Sequence, residues 1–329
     1  MGYVLAIDGG QSTTLSVIAR TDGTVLGAGL GGPANHLHEE GARERCKKSM
    51  RDSLSAAMKE ADLRDVKFEH VVLGMTGASD LMKSLIWEVL KDYVREPHFQ
   101  FEHDSVTAWA GGTGGEPGVV VIGGTGSVAL AVDSANNRAR VGGWGYYMGD
   151  EGSAYQIALQ GLSAAAKGLE TRGPETLLTQ ALLDYFGVTD LWDVHAKVYS
   201  AEMERADLAK LSKLVGDCAN KGDKVCQDIL AAAAHELALL VITAAKKVNF
   251  TDVEPIISTA GGVWKAGQPI WEPFTKEVLA AVPNAKVQKP VYSPAIGALV
   301  LALKGANVAI DMDIKANIER TRSIIERKK

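Results

Sequence analysis

The sequence predicts an α/β protein made of two similar halves, each a β-β-β-α-β unit, and three observations carry that prediction. A chain of 329 residues exceeds the comfortable size of one hydrophobic core, so two domains are expected. A short apolar run at 3–7 ends at Asp8-Gly9-Gly10 and is followed by two more strand-like runs joined through Asp22-Gly23. The same succession of strand, glycine turn, strand and strand returns over 118–141.

In the first half, an Asp-Gly turn between β-rich segments (14–19 and the run from Val25) marks a hairpin, so the chain begins with consecutive antiparallel strands. From 39 to 61, apolar and small residues recur at helical spacing among charges, which predicts an amphipathic helix. Residues 71–74 form a buried strand, 80–93 a helix, and 99–102 a strand ending at His103-Asp104. In the second half, 118–122 is an uninterrupted apolar strand halted at Gly123-Gly124-Thr125-Gly126, with strands at 128–132 and 139–141. Residues 151–249 are mostly helical, and Ile256-Ile257 makes a strand meeting Gly261-Gly262, with helices beyond. The glycines and proline of 111–117 disfavour regular structure, which puts the boundary there: one domain over 1–114 and a second over 115–293 with a helical insertion.

Composition narrows the function classes. Hydrophobic residues make up 46% and charged residues 23%, which excludes a disordered or rod-like chain. Thirty-five basic against 40 acidic residues leave a net charge of −5, so a whole-chain basic footprint for nucleic acid is absent. Cys46, Cys218 and Cys226 are odd in number, and the last two match no common zinc spacing; reduced thiols are expected. The opening residues lack a basic leader. The most apolar later stretch, 237–245, is far shorter than the ~20 residues of a membrane span, so a cytoplasmic chain without a membrane partner is expected.

Four constellations can carry chemistry. Asp8-Gly9-Gly10-Gln11-Ser12-Thr13-Thr14 puts a carboxylate at a strand end before glycines and hydroxyls, which suits a phosphate tail and its magnesium; a plain hairpin turn explains it equally well in isolation. Gly123-Gly124-Thr125-Gly126-Ser127 holds the equivalent place in the second half, so the two turns together suggest a clamp on one polyphosphate. Asp104 stands past a strand and before a helix, where it serves as an N-cap, as a general base, or as both. The stretch 142–153 combines Gly143-Trp144-Gly145 with Asp150-Glu151. Carboxylates, backbone amides and aromatic surface are what a sugar binds, although the two acids also suit a helix start.

Other motifs fail on context. Gly27-x-Gly29-x-x-Gly32 fits the dinucleotide fingerprint but follows a hairpin strand and opens no helix. No Gly-x-x-x-x-Gly-Lys-Ser/Thr occurs, and His36-x-His38 lacks a third ligand at metal spacing.

In this order, the elements resemble the sugar kinase–actin–Hsp70 superfamily, and within it the branch of N-acetylglucosamine kinases and BadF/BadG/BcrA/BcrD-type ATPases. Asp8-Gly9-Gly10-x-Ser12 is similar to the branch's first phosphate motif, and Gly124-Thr125-Gly126-Ser127 to its second. Gly261-Gly262 falls in its adenosine motif, and Ala219 at a nucleotide contact. Asn35-His36 matches its sugar-binding pair, and Asp104 the position of its base. Gly142–Gly145 with 149–155 is the most specific piece. Gln11, Ser12 and His103 depart from the family's usual glycine, threonine, and Thr or Asn.

The resemblance implies two ribonuclease-H-like (actin-like ATPase) domains with a central cleft, and a C-terminal helix at 294–303 returning, with the rest of 294–329, to the first. It implies ATP held by Gly9, Gly10, Ser12, Thr125, Gly126, Ser127, Ala219, Gly261 and Gly262, with Mg²⁺ at Asp8. A sugar would sit against Asn35, Asp104, Gly143, Trp144, Gly145 and Asp150, and Asp104 would take the proton of its 6-hydroxyl. N-acetylglucosamine is the expected sugar, with glucosamine and glucose as alternatives; a homodimer is the default assembly. Two rivals stand beside this: an ATPase that activates a partner enzyme through a shared iron–sulfur cluster, and a non-catalytic nucleotide or sugar sensor.

Overall fold

Two uninterrupted apolar strands seed the two sheets. β1 (Tyr3–Gly9) and β6 (Gly118–Gly123) carry Val4, Leu5, Ala6 and Ile7, and Val119, Val120 and Val121, all fully buried, as a strand covered on both faces requires. The computed structural model describes residues 2–10, 12–35, 37, 39–250 and 253–328, and the chain divides into two units. The first comprises Met1–Glu116 and Pro290–Lys329, and the second Pro117–Lys289.

In the first unit, β1 pairs antiparallel with β2 (Thr14–Arg20), and β2 with β3 (Val25–Gly31). On its other side β1 pairs parallel with β4 (His70–Met75), and β4 with β5 (Phe99–His103). The order is therefore β3-β2-β1-β4-β5. The second unit repeats it with β7 (Ser127–Val132), β8 (Arg138–Gly142), β9 (Ile256–Ala260) and β10 (Lys286–Gln288), in the order β10-β9-β6-β7-β8. Both are ribonuclease-H-like sheets. The three-residue β10 has no run or alternation long enough to predict it, and the sequence reads the stretch beyond Gly262 as helices.

The helices fill the expected places with shifted ends. α1 (Ala42–Glu60) starts after Gly41, whose φ of 71° breaks the backbone path, and α2 (Asp80–Leu90) is capped by Ser79. α3 (Asp104–Thr113) runs through Gly111 and Gly112, which the sequence reads as boundary. A Cβ on Gly111 would lie 2.6 Å from the Ser293 carbonyl, at the start of α11 (Pro294–Gly305). Gly111, with Gly297 on α11, lets the two helices touch backbone to backbone, a packing role invisible to a rule about flexibility. α11 also packs on β1 and β4, so this C-terminal segment belongs to the first unit.

The false dinucleotide fingerprint has a packing explanation as well. Cβ atoms on Gly27, Gly29 and Gly31 would collide with the carbonyls of Ala57, Ser53 and Ser49, successive turns of α1. Two strand residues advance about 6.7 Å and four helical residues about 6 Å, so the two repeats run in step and α1 lies directly on β3.

The second unit's insertion comprises α4 (Ala154–Leu169), α5 (Leu178–Phe186), α6 (Leu191–Val198), α7 (Arg205–Lys210), α8 (Ser212–Asn220) and α9 (Lys224–Lys246). At 23 residues, α9 is long and apolar enough to cross a membrane, longer than the 237–245 run suggests. Its Leu230, Ala234, Leu237, Ala238 and Val241 are instead buried, and it packs on β6, β7 and α10 (Gln268–Ala281).

Seating α1 on β3 predicts an overpacking cost. Gly29→Ala should destabilise the protein by about 1–3 kcal/mol, read as a lower denaturant midpoint, whereas Gly32→Ala, whose Cβ meets only the Ser49 hydroxyl at 3.2 Å, should cost much less. Equal midpoints for the two variants would show that the helix is not seated there.

Candidate active site

The first unit collects its chemistry where β1, β4 and β5 end side by side. Asp8, Gly74 and Glu102 are in register, as are Gly9, Met75 and His103. The turn after Asp8 is closed by the Gly10 N–H, which donates to the Thr13 carbonyl at 2.9 Å. That bond consumes the Gly10 donor, leaving Ser12 and Thr13 exposed with their hydroxyls. Gln11 lies outside the described residues. Gly9 is glycine because a side chain there would strike Met75 on β4.

Thr76 joins this turn to Asp104. Its N–H donates to the Gly9 carbonyl at 2.9 Å, and its hydroxyl donates to Asp104 Oδ2 at 2.7 Å. Asp104 is the first residue of α3, and the capping residue is His103, not Asp104. His103 Nδ1 lies 2.5 Å from Asp104 Oδ1 and also faces the Ser105 N–H at 3.3 Å. One nitrogen cannot donate to the first and accept from the second. The short charge-assisted contact wins, so Nδ1 carries the proton and points it at Asp104. Burial pushes the Asp104 carboxyl up, but the hydrogen bonds and charge of His103, with the bonds from Thr76 and Ser105, outweigh it and hold the group below its ordinary value. Asp104 is therefore an ionised carboxylate at neutral pH, held at both oxygens and 28% exposed.

Asn35 stands a few residues beyond β3. Its carbonyl accepts from Arg45 on α1 at 3.2 Å, which fixes the backbone. Its side-chain Oδ1 is buried with no hydrogen-bond partner. A buried orphan acceptor costs about 1–3 kcal/mol, which a donor from a ligand would recover. His36 and His38 lie outside the described residues.

In the second unit the turn between β6 and β7 has its carbonyls drawn inward. The Gly124 carbonyl accepts from Ala154 N–H at 2.8 Å, that of Gly126 from Gly124 N–H at 2.9 Å, and that of Thr125 from the Arg205 guanidinium at 3.0 Å. The N–H groups of Thr125 and Gly126 have no partner among the described residues, the pattern of an anion-binding turn. Ser127 differs from the expectation that it grips phosphate. Its N–H donates to Asp150 Oδ1 at 3.1 Å and its hydroxyl to the Glu151 carbonyl at 2.7 Å, so it frames the turn. Gly126 has no positive φ, and its need for glycine is steric: a Cβ there would lie 2.7 Å from Asp150 Oδ1.

Asp150 is likewise committed inside its own unit. It is 4% exposed, with φ at 63°, and receives Ser127 N–H on one oxygen and Arg205 at 2.5 Å on the other. These contacts do not leave it facing outward for a sugar. The loop before it does face outward: Trp144, Tyr147 and Met148 are 72%, 87% and 75% exposed, and Gly142, Gly143 and Gly145 all have φ between 74° and 81°. Gly261, at the end of β9, packs on the Gly123 carbonyl and brings the turn at Gly261-Gly262 beside the 124–127 turn. Ala219 is buried, with its carbonyl accepting from Gln227 and Gly222, so it offers no free surface to a nucleotide.

Sequence reasoning missed Thr76 and Arg205. Thr76 follows a strand end and carries a hydroxyl, a signal open to the same rule applied to Asp8. Arg205 is separated from Thr125 by 80 residues, and no local pattern marks it.

Residues 5–302, which include every group described above, match one family. The chain belongs to the BadF/BadG/BcrA/BcrD ATPase family. ATP is accordingly its nucleotide. Among curated relatives, the N-acetylmuramic acid/N-acetylglucosamine kinase of Clostridium acetobutylicum is 29% identical over 303 residues, covering 92% of this chain and 98% of its own. The N-acetyl-D-glucosamine kinase of Dictyostelium discoideum is also 29% identical, over 315 residues, covering 91% and 97%. A solved structure from Chromobacterium violaceum, at 24% identity, shares the fold with a TM-score of 0.69 over 92% of this chain and 99% of its own.

The His103 contact makes a titration prediction. Because the Asp104 carboxyl is depressed, it should stay charged until the pH falls below the ordinary carboxylate value of about 3.9. His103→Asn removes a lowering contribution, so the NMR titration midpoint of Asp104 should move upward; an unchanged midpoint would show that Nδ1 does not serve the carboxylate.

Proposed function

We propose that this chain is an ATP-dependent sugar kinase acting on the 6-hydroxyl of N-acetylglucosamine. The observation that carries the reading is in the first unit. There, a held, ionised carboxylate, Asp104, is tied through Thr76 to the Asp8-Gly9-Gly10 turn. Hydrolysis alone gives no use for the orphaned Asn35 Oδ1, whereas a sugar hydroxyl or amide supplies its missing donor. Curated relatives with N-acetylglucosamine in their names support the choice of sugar.

Phosphoryl transfer needs positioning and charge neutralisation more than covalent help. Within the second unit, the N–H groups of Thr125 and Gly126, with the Thr125 hydroxyl, donate to the phosphates, and the Gly261-Gly262 turn takes the adenosine. Mg²⁺ suits the donor set: it is held through one or two carboxylates, waters and phosphate oxygens, so Asp8 suffices where no cluster of three or more metal-ligating side chains occurs among the described residues. The ion would neutralise charge on the phosphates. Asp104 accepts the proton of the 6-hydroxyl as that oxygen attacks the γ-phosphorus in line. Trp144 and the glycines around it offer the sugar an aromatic face and backbone amides.

An iron–sulfur activator does not fit these residues. Burial raises the Cys218 thiol, and burial with the nearby Asp223 charge pushes Cys226 up to about 12, so both stay protonated inside the second unit. Three buried thiols suit a reducing cytoplasm.

A coupled assay of ADP release over N-acetylglucosamine, N-acetylmuramic acid, glucosamine and glucose tests the proposal. N-acetylglucosamine should stimulate release strongly over the sugar-free rate; equally fast release without any sugar would sink the kinase reading. Asp104→Asn should lower kcat by about 10²–10⁴-fold while ATP and sugar still bind. A variant with wild-type kcat would remove Asp104 from the mechanism.

A further inference from the structure

Arg205 has no assigned role, yet its guanidinium meets Thr125, Asp150, Tyr146 and Tyr155 at the 124–127 turn. It opens α7, a helix of the insertion, and one guanidinium nitrogen donates both to the Thr125 carbonyl at 3.0 Å and to Asp150 Oδ2 at 2.5 Å. Its guanidinium carbon sits 4.7 Å from the ring centre of Tyr146 and 5.4 Å from that of Tyr155. Tyr146 belongs to the exposed aromatic loop and Tyr155 to α4, so a single cation joins that loop, the insertion, the first turn of α4 and the phosphate turn.

The arrangement solves an electrostatic problem. Asp150 is almost fully buried directly beneath Gly126, and its Oδ1 fixes Ser127. A bare carboxylate there would repel the anion that the Thr125 and Gly126 N–H groups are free to bind. The Thr125 carbonyl, if it turned outward, would add a second negative dipole. Arg205 removes both.

We propose that Arg205 is a positioning residue that makes the 124–127 turn attractive to a polyphosphate, neutralising the Asp150 carboxylate beneath it and drawing the Thr125 carbonyl inward. This rests on the reading that the turn binds the phosphates of ATP. It reassigns Asp150 from the sugar to the nucleotide side of the site. It also gives the aromatic loop a route to the nucleotide, because Tyr146 and Thr125 touch the same guanidinium.

Binding of ADP by titration calorimetry and of trinitrophenyl-ATP by fluorescence, both without sugar, tests it. Arg205→Met should weaken nucleotide binding by about ten- to a hundredfold, the range of a lost charge-assisted contact, with sugar affinity little changed. Adding Asp150→Asn to Arg205→Met removes the unmatched charge and should recover part of the lost affinity, an outcome that a merely structural role does not produce. Arg205→Lys keeps the charge and should bind more tightly than Arg205→Met. It also covers the case in which the methionine variant does not fold. Wild-type nucleotide affinity in Arg205→Met overturns the proposal, as does a double variant no better than Arg205→Met. If Arg205→Met is unfolded, Arg205→Lys decides: nucleotide and sugar affinity falling together would overturn the proposal, and a selective loss of nucleotide affinity would support it. Because no sugar is present, the expected pattern in a protein that phosphorylates none of the tested sugars would refute the kinase reading and leave Arg205 in its role.

Discussion

A negative charge buried beneath a turn with two N–H groups unpartnered among the described residues is the constraint around which the second unit is arranged. Asp150 is needed to hold Ser127, yet it lies against Gly126, the residue whose N–H is left for a ligand. Leaving such a group unpaired costs several kcal/mol, so the unit brings a cation to it from a helix far along the chain. Pairing with Arg205 satisfies the carboxylate and turns the Thr125 carbonyl inward at the same time. Glycine at 126 follows from the same geometry, since any side chain would displace the carboxylate.

The first unit treats its carboxylate in the opposite way. Asp104 is partly exposed and is held by a neutral donor, Thr76, and by the ring of His103, so it remains ionised and reachable. Two copies of one topology thus carry two carboxylates in different settings: one buried and fully paired, one partly exposed and held at both oxygens.

Shared topology also explains where the site residues fall. Both central strands end in glycine turns, and in each unit the parallel neighbour delivers a further group to the same edge: Thr76 after β4, and Gly261-Gly262 after β9. Open α/β sheets bind ligands outside the carboxyl ends of their strands, and the candidate groups of both units stand at those ends. The glycines that are not at strand ends serve packing. Gly27, Gly29 and Gly31 admit α1, and Gly111 admits the start of α11.

What the sequence determined by itself was whatever is written in local pattern. Apolar runs, glycine turns and helical spacing specified nine of the ten strands among the described residues, the duplication, and the candidates Asp8, Asp104 and the 124–127 turn, while Asn35 came from the family resemblance. β10 escaped because Lys286-Val287-Gln288 holds a single apolar residue and no adjacent glycine turn, and Gly111 was misread because glycine signals flexibility and close packing with the same letter. Tertiary structure alone decided the wiring: that His103 turns its Nδ1–H on Asp104, that Ser127 and Asp150 pair inside the second unit, and that Arg205 reaches across 80 residues to the Thr125 carbonyl. A hydrogen bond or ion pair depends on where two side chains meet in space, and residues that meet only after the chain has folded leave no spacing in the sequence to be read.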